Sequence, residues 1–465
     1  MTRAIYSLLL WLAQPFLRAR LRQRGRVEPG YRVAMDERFG HYLGSAPPGG
    51  CVWIHAVSLG ETRAAAALIE RLREREPALR LLLTHGTSTG RAEGARLLRA
   101  GDAQVWQPWD TPGAVQRFLA RFKPSIGILM ETEVWPNLCA ACQQAGVPLV
   151  LANARLSEKS QRKAERLGWL SRPAYASLAA VWAQTDADAE RLIAVGAKAA
   201  EVLGNIKFDA APDLVQLAQG ARWRDAWRIA TQRPVVMFAS SRAGEESDFL
   251  NTLQSIKSFT HVDIQLIAIN NVSNDSRLDA STPKGVQYLV VPRHPQRVDE
   301  VARLIEACGL RVSRRSDWGN SLPMGQATGP PLGPPLGPRE TACDVIWLGD
   351  SLGEMALYYG LSDVALLGGS FAPFGGQNLI EAAACGCPVI MGPHTFNFAD
   401  AADQSVDAGA AVRVQSLEQA VMRANELVHD AASLQAMRAA TAQFTAAHRG
   451  AVERTVAALM RWVRS

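Results

Sequence analysis

Residues 368–393 read Gly368-Gly-Ser-Phe-Ala-Pro-Phe-Gly-Gly-Gln-Asn-Leu-Ile-Glu-Ala-Ala-Ala-Cys-Gly-Cys-Pro-Val-Ile-Met-Gly-Pro393. The apolar run 364–367 before them predicts a strand, Asn378 begins a helix that Gly386 ends, and 389–391 predicts the next strand. Glycines in the loop allow backbone N–H groups to approach an anion, and the first helical turn adds unpaired donors and a positive dipole end. The pattern therefore predicts an α/β fold with a turn that suits a phosphate.

Two polar residues extend this interpretation. Glu381 follows Asn378 by about one helical turn, so both side chains can face one ligand. A carboxylate beside a phosphate site suits a ribose diol, which favours a nucleotide. A tight structural turn with a solvated glutamate remains open, because glycine patterns alone are weak evidence.

The length of 465 residues exceeds what one hydrophobic core usually serves, so we expect two domains. The chain is 48% hydrophobic and 20% charged, as is typical of globular proteins. We divide it into a basic and apolar segment, an N-terminal domain, a C-terminal domain and a last helix, at 1–38, 39–220, 221–435 and 436–465. Polar or proline-rich inserts are expected near 270–284 and 316–343.

Positive charge is concentrated at the N-terminal end. Residues 1–38 contain eight arginines and three acidic residues, so they carry +5 of the net charge of +6. The rest of the chain is nearly neutral, which argues against a nucleic-acid partner.

The same end contains the apolar run 5–17, which Pro15 interrupts. Thirteen residues fall short of the ~20 that span a bilayer, so we favour a helix lying in the membrane interface with Arg18 to Arg26 on anionic headgroups. A spanning anchor remains open, and the arginines would then keep the body cytoplasmic. A helix packed on the body is the third alternative. A signal peptide fits less well, because arginines replace a cleavage site.

The seven cysteines are an odd number, without a secretion signal or a complete zinc pattern. We interpret them as reduced and structural.

Polar residues follow several predicted strands of the N-terminal domain. Glu61 lies at the start of a helix after strand 51–57, where the helix dipole favours its carboxylate form and where α/β sheets bind ligands. Glu131 and Glu133 close another strand and would share one face of it. Lys207 is expected to be an exposed cation at the same edge. Each glutamate could instead be a solvated end of its element.

Six strings in order resemble the 3-deoxy-D-manno-octulosonic acid (Kdo) transferases of lipopolysaccharide assembly. They are His55-Ala-Val-Ser-Leu-Gly-Glu-Thr-Arg63, Glu131-Thr-Glu-Val-Trp-Pro-Asn137, Asn153-Ala-Arg-Leu-Ser157, Gly204-Asn-Ile-Lys-Phe-Asp209, Pro292-Arg-His-Pro295 and Met391-Gly-Pro-His-Thr-Phe-Asn-Phe398. The resemblance covers nearly the whole chain and departs at the two inserts.

This resemblance implies a GT-B fold, with two Rossmann-like domains facing a cleft, the acceptor held by the first and the CMP-activated sugar by the second. It implies that Glu61 is the general base and that Glu131 and Lys207 assist the transition state of an inverting transfer. Whether Glu131 or Glu133 is the assisting carboxylate stays open.

The positions implied to bind CMP are Pro292, Arg293, Leu352, Gly353, Glu354, Asn378, Leu379, Ile380 and Glu381. Gln377 stands where relatives can carry His, and Leu379 stands where Pro is possible. Arginine and the helix dipole would stabilise the leaving phosphate, so we expect no metal and no cofactor.

The implied partners are CMP-Kdo, a lipid A precursor and the cytoplasmic side of the cell inner membrane. Two other interpretations remain. One is a GT-B enzyme that uses a UDP-sugar, either a glycosyltransferase with a lipid-linked acceptor or an epimerase. The other is a membrane-bound nucleotide-binding protein without catalytic activity.

Overall fold

The computed structural model describes residues 2–44, 47–255, 285–319, 322 and 345–463. The predicted insert 270–284 lies outside the described residues, as does 316–343 apart from 316–319 and Leu322. The chain divides into two compact units, which we call unit 1 (Met1–Ala210 with His448–Ser465) and unit 2 (Ala211–Ala447).

Unit 1 contains a parallel sheet of seven strands among its described residues. They are β1 (Val52–His55), β2 (Leu81–His85), β3 (Ala103–Trp106), β4 (Ile126–Met130), β5 (Leu149–Ala154), β6 (Ala180–Ala183) and β7 (Glu201–Val202). Their order is β3-β2-β1-β4-β5-β6-β7, so the chain reverses direction across the sheet between β1 and β4. Such a switch point is where open α/β sheets bind ligands.

Helices cover both faces of this sheet. They are α1 (Thr2–Val27), α2 (Leu59–Arg75), α3 (Ser88–Ala95), α4 (Pro112–Phe122), α5 (Pro136–Gln144), α6 (Glu158–Arg166), α7 (Gly168–Ala176) and α8 (Asp186–Ala194). The consecutive residues Trp53 and Ile54 are fully buried in different hydrophobic clusters, Trp53 with Phe118 and Ile54 with Leu68. β1 is therefore buried on both faces, as a parallel strand between two helical layers must be.

Unit 2 contains a second parallel sheet with seven strands in its described part. They are β8 (Val235–Ser241), β9 (Gln287–Pro292), β10 (Arg311–Arg314), β11 (Val345–Leu348), β12 (Val364–Leu367), β13 (Val389–Met391) and β14 (Ala411–Arg413). The order is β10-β11-β9-β8-β12-β13-β14, which puts the switch point between β8 and β12.

The remaining helices are α9 (Leu214–Thr231), α10 (245–255), α11 (Val298–Ala307), α12 (Met355–Leu361), α13 (Leu379–Ala384), α14 (Ala399–Asp407), α15 (Leu417–His429), α16 (Ala431–His448) and α17 (Ala451–Val463). The strand, glycine loop, helix and strand predicted from residues 364–393 are confirmed as β12, α13 and β13.

The last helix, α17, belongs to unit 1. Val456 and Leu459 pack in the same cluster as Ile54 and Leu68. The carboxylate of Asp209 accepts hydrogen bonds from the backbone N–H groups of Gly450 and Val452, each at 2.6 Å. This carboxylate therefore caps the start of α17.

Helix α1 is continuous through Pro15, which interrupts the apolar run without breaking the helix. Contacts on both sides of the proline hold the helix despite the lost backbone hydrogen bond. Tyr6 donates to the Asp110 carboxylate (3.0 Å), Ser7 donates to Asn137 Oδ1 (3.1 Å), and Leu21 is buried.

The outer side of α1 exposes an apolar stripe, which we define as Ile5, Leu8, Leu9, Trp11, Leu12 and Phe16, each 54–69% exposed. Among the residues that the structure describes, no helix has both the length and the apolar character needed to cross a membrane.

Six of the seven cysteines lie among the described residues, and all six are free thiols, namely Cys51, Cys139, Cys142, Cys308, Cys385 and Cys387. Cys343 lies outside the described residues.

Candidate active site

Glu61 lies in the first turn of α2, directly after β1 at the switch point of unit 1. Its backbone N–H donates to Ser58 Oγ (3.3 Å), while Ser58 Oγ donates to Glu61 Oε1 (2.8 Å). The N–H of Val57 donates to Glu61 Oε2 (2.8 Å). This reciprocal capping box fixes the carboxylate at the carboxyl edge of the sheet.

The pKa of Glu61 is raised to about 7. Burial is the main cause and the negative charge of Glu131 adds to it, while the hydrogen bonds from Val57 and Ser58 act in the opposite direction. The donors at the start of α2 favour the carboxylate form, as expected, but burial and the second carboxylate outweigh them. A carboxyl group with this pKa is well matched to accept a proton near neutral pH.

Glu131 follows β4 and is 4% exposed, with a backbone φ of 60°. Its Oε1 lies 2.7 Å from Lys207 Nζ, and its Oε2 accepts from Arg155 Nε at 2.8 Å. Burial would raise the pKa of Glu131, but Lys207 and Arg155 together lower it below the ordinary value. Glu131 is therefore a charged carboxylate at neutral pH.

The prediction that Lys207 is an exposed cation is wrong. Its side chain is only 18% exposed because it reaches back to Glu131. This pairing joins two of the three residues that the sequence assigned to catalysis, although they are 76 positions apart.

The predicted shared strand face of Glu131 and Glu133 is also wrong, because β4 ends at Met130 and the positive φ of Glu131 turns the chain. Glu133 Oε2 accepts from Trp135 Nε1 (2.9 Å) and lies 3.9 Å from His55 Nε2. Burial lowers the pKa of His55 to about 3, so this histidine is neutral, and burial raises the pKa of Glu133. Glu131 is the carboxylate that pairs with Lys207.

In unit 2, Pro292 ends β9 and Arg293 follows it, exposed, with its N–H donating to Ser241 O (3.0 Å). Arg293 and Glu381 both act on the buried hydroxyl of Tyr359. Burial raises the pKa of that hydroxyl, Glu381 raises it further and Arg293 lowers it. Two of the predicted nucleotide-binding residues therefore lie within electrostatic range of the same buried tyrosine.

The helix predicted to start at Asn378 does so, but its first residue does not cap it in the usual way. Asn378 makes no side-chain capping bond, and Leu379 and Ile380 behind it are buried. Within the described part of the chain, the buried Asn378 Oδ1 has no hydrogen-bond partner. A buried acceptor without a donor is costly, so a ligand donor would stabilise it.

Residues 352–354 form the third loop predicted to bind the nucleotide, and this loop follows β11. Leu352 is 84% exposed and Gly353 has a φ of 86°. Glu354 Oε1 accepts from Arg315 Nη2 at 2.9 Å.

Backbone N–H groups at the start of the glycine loop bind the carboxyl group of Glu245. Both Glu245 oxygens accept from the N–H of Gly369 (2.9 and 2.8 Å), and Oε1 also accepts from the N–H of Phe371 (3.2 Å). The prediction that this part of the loop faces a phosphate is wrong, because Glu245 takes the place of the anion. Sequence reasoning missed Glu245 and Arg155, which lie 124 and 24 positions from their partners.

The chain is similar to known Kdo transferases along its whole length. Residues 34–210 match the family model described as 3-Deoxy-D-manno-octulosonic-acid transferase (kdotransferase). The 3-deoxy-D-manno-octulosonic acid transferase of Bordetella pertussis is 44% identical over 471 residues, covering 100% of both chains. That of Haemophilus influenzae is 30% identical, covering 98% of this chain and 97% of its own.

Solved structures with lower identity share the fold. UDP-GlcNAc 2-epimerase from Neisseria meningitidis is 12% identical, with a TM-score of 0.53 over 89% of this chain and 100% of its own. A glycosyltransferase from Rickettsia africae is 10% identical, with a TM-score of 0.53 over 89% and 98%. Together with the two parallel sheets, these likenesses show an α/β fold of the GT-B kind. The full-length identities show in addition that this chain is a glycosyltransferase and belongs to the 3-deoxy-D-manno-octulosonic acid transferase family.

Proposed function

We propose that this transferase moves Kdo from CMP-Kdo to a lipid A precursor in lipopolysaccharide core biosynthesis, with inversion at the anomeric carbon. The observation that carries the proposal is the Glu61 carboxyl, which Val57 and Ser58 hold at the switch point of unit 1 and whose pKa burial raises to about 7. In a chain of this family, a proton acceptor poised near neutral pH is what attack by a hydroxyl requires.

In the proposed reaction, the acceptor hydroxyl oxygen bonds to the anomeric carbon while the bond from that carbon to the phosphate oxygen breaks. Glu61 takes the hydroxyl proton, and CMP leaves with the electron pair. Glu131 stays ionised because Lys207 and Arg155 hold it. A fixed carboxylate there stabilises positive charge that develops on the sugar.

The donor is proposed to bind in unit 2. Arg293 supplies a cation for the leaving phosphate, and the buried Asn378 Oδ1 offers an acceptor to a hydroxyl or amino group of the nucleotide. The proposed donor residues remain Pro292, Arg293, Leu352, Gly353, Glu354, Asn378, Leu379, Ile380 and Glu381. Because arginine can stabilise the leaving phosphate, we propose that no divalent metal takes part.

The acceptor is proposed to be reached at the cytoplasmic side of the inner membrane. The apolar stripe of α1 supports an interfacial position, since its side chains are exposed along one side of a helix whose other side packs on unit 1. Arginines 18 to 26 follow the stripe and suit anionic headgroups.

The test is to incubate purified protein with a tetra-acylated lipid A precursor and CMP-Kdo, and to weigh the lipid product by mass spectrometry. We expect a mass increase of one or more Kdo residues, unchanged by EDTA. Parallel reactions replace CMP-Kdo with UDP-sugars. Transfer from a UDP-sugar, or no transfer from CMP-Kdo, would refute the proposed donor, and loss of activity with EDTA would refute the metal-free mechanism.

A further inference from the structure

Arg242 lies at the switch point of unit 2, directly after β8. The strands beside β8 are β9 and β12, and residues 293–294 and 368–381 follow them. In an open parallel sheet the crevice beyond the carboxyl ends of such strands receives the ligand. Arg242 therefore occupies the centre of the edge at which the nucleotide is proposed to bind.

The guanidinium contacts the loops on both sides. Arg242 Nη1 lies 3.3 Å from His294 Nε2, after β9. Arg242 Cζ lies 4.7 Å from the ring centroid of Phe374, after β12. The backbone is held as well, because the Arg242 N–H donates to Glu245 Oε2 (3.0 Å) and the preceding Ser241 is buried. The side chain is therefore positioned by the two neighbouring loops, and the backbone is held by Glu245.

These contacts do not neutralise the arginine. Among the described residues, no carboxylate forms an ion pair with the Arg242 side chain, whereas the neighbouring Arg297 pairs with both Glu246 and Glu300. Burial lowers the pKa of His294, and Arg242, Arg293 and Arg297 lower it further, so the histidine is neutral at pH 7 and can only share a hydrogen bond. A positioned cation with aromatic and imidazole neighbours is suited to bind an anion.

We propose that Arg242 binds an anionic group of the sugar-nucleotide donor. This inference rests on the proposed function, in which the donor carries two anions, the phosphate and the carboxylate of the sugar acid. Arg293 provides one cation for them, and Arg242 provides the second. The phosphate and the carboxylate each present a pair of anionic oxygens, and a planar guanidinium can donate two N–H groups to such a pair.

The experiment compares the wild type with R242A and R242Q, using calorimetric titration with CMP and the KM for CMP-Kdo in the transfer assay. R242Q keeps most of the side-chain length and removes the charge, so it serves if R242A fails to fold. The control is R423A, which removes an exposed arginine from α15 of the same unit. Loss of a charge-assisted hydrogen bond predicts roughly 10- to 100-fold weaker donor binding for both Arg242 variants and no change for R423A.

The two ligands distinguish the source of the anion. Weaker binding of CMP supports contact with the phosphate, while a raised KM for CMP-Kdo with unchanged CMP binding supports contact with the sugar carboxylate. Unchanged values for both ligands, in a variant with native circular dichroism, would overturn the inference while leaving the proposed function intact. A wild type that neither binds CMP nor transfers Kdo would instead overturn the proposed function, and the inference with it.

Discussion

At the scale of single residues, the charge of Lys207 acts on Glu131, and the charge of Glu131 acts on Glu61. Lys207 keeps Glu131 charged, and that charge helps to raise the pKa of Glu61 to about 7. Environments that separate the pKa values of nearby carboxyl groups are a recurring way to assign different roles to them. Here Glu61 is the group able to exchange a proton and Glu131 is the permanent charge.

The first prediction concerns Glu61→Gln. We expect kcat for Kdo transfer to fall by about 100- to 10,000-fold, because the proton acceptor is lost, while CMP binding is unchanged. Glutamine also completes a capping box, so α2 should remain folded. The control is Glu158→Gln, a first-turn glutamate of α6 behind a serine cap. A Glu61→Gln enzyme within a few-fold of the wild type would mean that Glu61 only caps α2.

The second prediction is the pH dependence that follows from the same group. Only deprotonated Glu61 accepts a proton, so the transfer rate should rise as the pH passes through about 7 and level off above it. Stability should change in the opposite sense. Because the pKa is raised on folding, this group favours the folded state fully at pH values below its unfolded pKa, and that contribution is lost as the pH rises through about 7.

The check is to measure kcat and the free energy of unfolding from pH 5 to 9 for the wild type and for Glu61→Gln. The variant should lose the rise in rate, and its free energy of unfolding should fall less between pH 5 and 7 than that of the wild type, because Asp110, whose pKa is raised to about 6, still contributes. A wild-type rate that is flat across this range would contradict the assigned pKa.

The sequence indicates where these residues lie in the fold, but it does not predict the pKa of Glu61 or the ion pair between Lys207 and Glu131. Glu61 could be placed because it follows a strand and a serine cap, which are local signals. The pKa of Glu61 depends on Glu131, which is brought near only when β1 and β4 become neighbours. The pairing of Lys207 with Glu131 depends on a positive φ at a residue other than glycine, for which the sequence gives no signal.

At the scale of elements, the glycine loop after β12 is organised by Glu245 rather than by a ligand. The third prediction is that Glu245→Ala frees the N–H groups of Gly369 and Phe371 and destabilises unit 2 by about 2–3 kcal/mol, because these donors lose their hydrogen-bond acceptor. CMP affinity should fall as well, because Asn378 and Glu381 follow this loop.

Chemical denaturation and CMP titration measure the two effects of Glu245→Ala. Glu300→Ala is the control, since Glu300 is exposed on α11 of the same unit. Unchanged stability and affinity would show that the loop keeps its conformation without the carboxylate.

The fourth prediction concerns α1. Replacing Leu9 and Trp11 of the apolar stripe with glutamate should reduce binding to anionic lipid vesicles on the order of 100-fold, because two large side chains no longer leave water. Sedimentation with vesicles measures the effect. Ile229→Glu is the control, because Ile229 is 83% exposed on α9 and lies outside the stripe. Equal loss in the control, or no loss in the double variant, would contradict interfacial binding through α1.

The elements themselves were largely predictable. The apolar run 364–367 became a strand, and Asn378 marked the start of a helix, as predicted. The continuity of α1 was not predictable, because proline inside a helix is tolerated only where tertiary contacts such as those of Ser7 and Leu21 hold both sides.

At the scale of the whole molecule, each unit carries its candidate residues at the switch point of its own sheet. In unit 1, Glu61 and Glu131 follow the switch-point strands β1 and β4, and in unit 2, Arg242 and the loop that leads to Asn378 follow β8 and β12. The alternation of strands and helices in the sequence predicts two α/β domains, but strand order sets which loops converge. Arg242 is an example. It lies at the centre of the ligand-binding edge of unit 2 only because β8 lies between β9 and β12.

The fifth prediction concerns Asp209, the last residue of one of the six family strings. Asp209→Ala should destabilise α17 by about 1–2 kcal/mol, since the helix loses its cap, and should speed backbone amide exchange in α17 and α2. Asp213→Ala is the matched control, because Asp213 caps α9 in unit 2. Exchange in α17 that is unchanged by Asp209→Ala would contradict this structural role.

The return of α17 to unit 1 has a consequence for synthesis on the ribosome. Residues 211–447 form unit 2 without interruption and can fold as soon as they emerge. The apolar cluster of Ile54 and Leu68 is completed only when Val456 and Leu459 have been synthesised. These two residues are translated about 400 codons after Ile54. The nascent chain therefore exposes part of this apolar cluster until α17 has been synthesised, and we expect chaperones that bind exposed apolar surface to act on it during that interval.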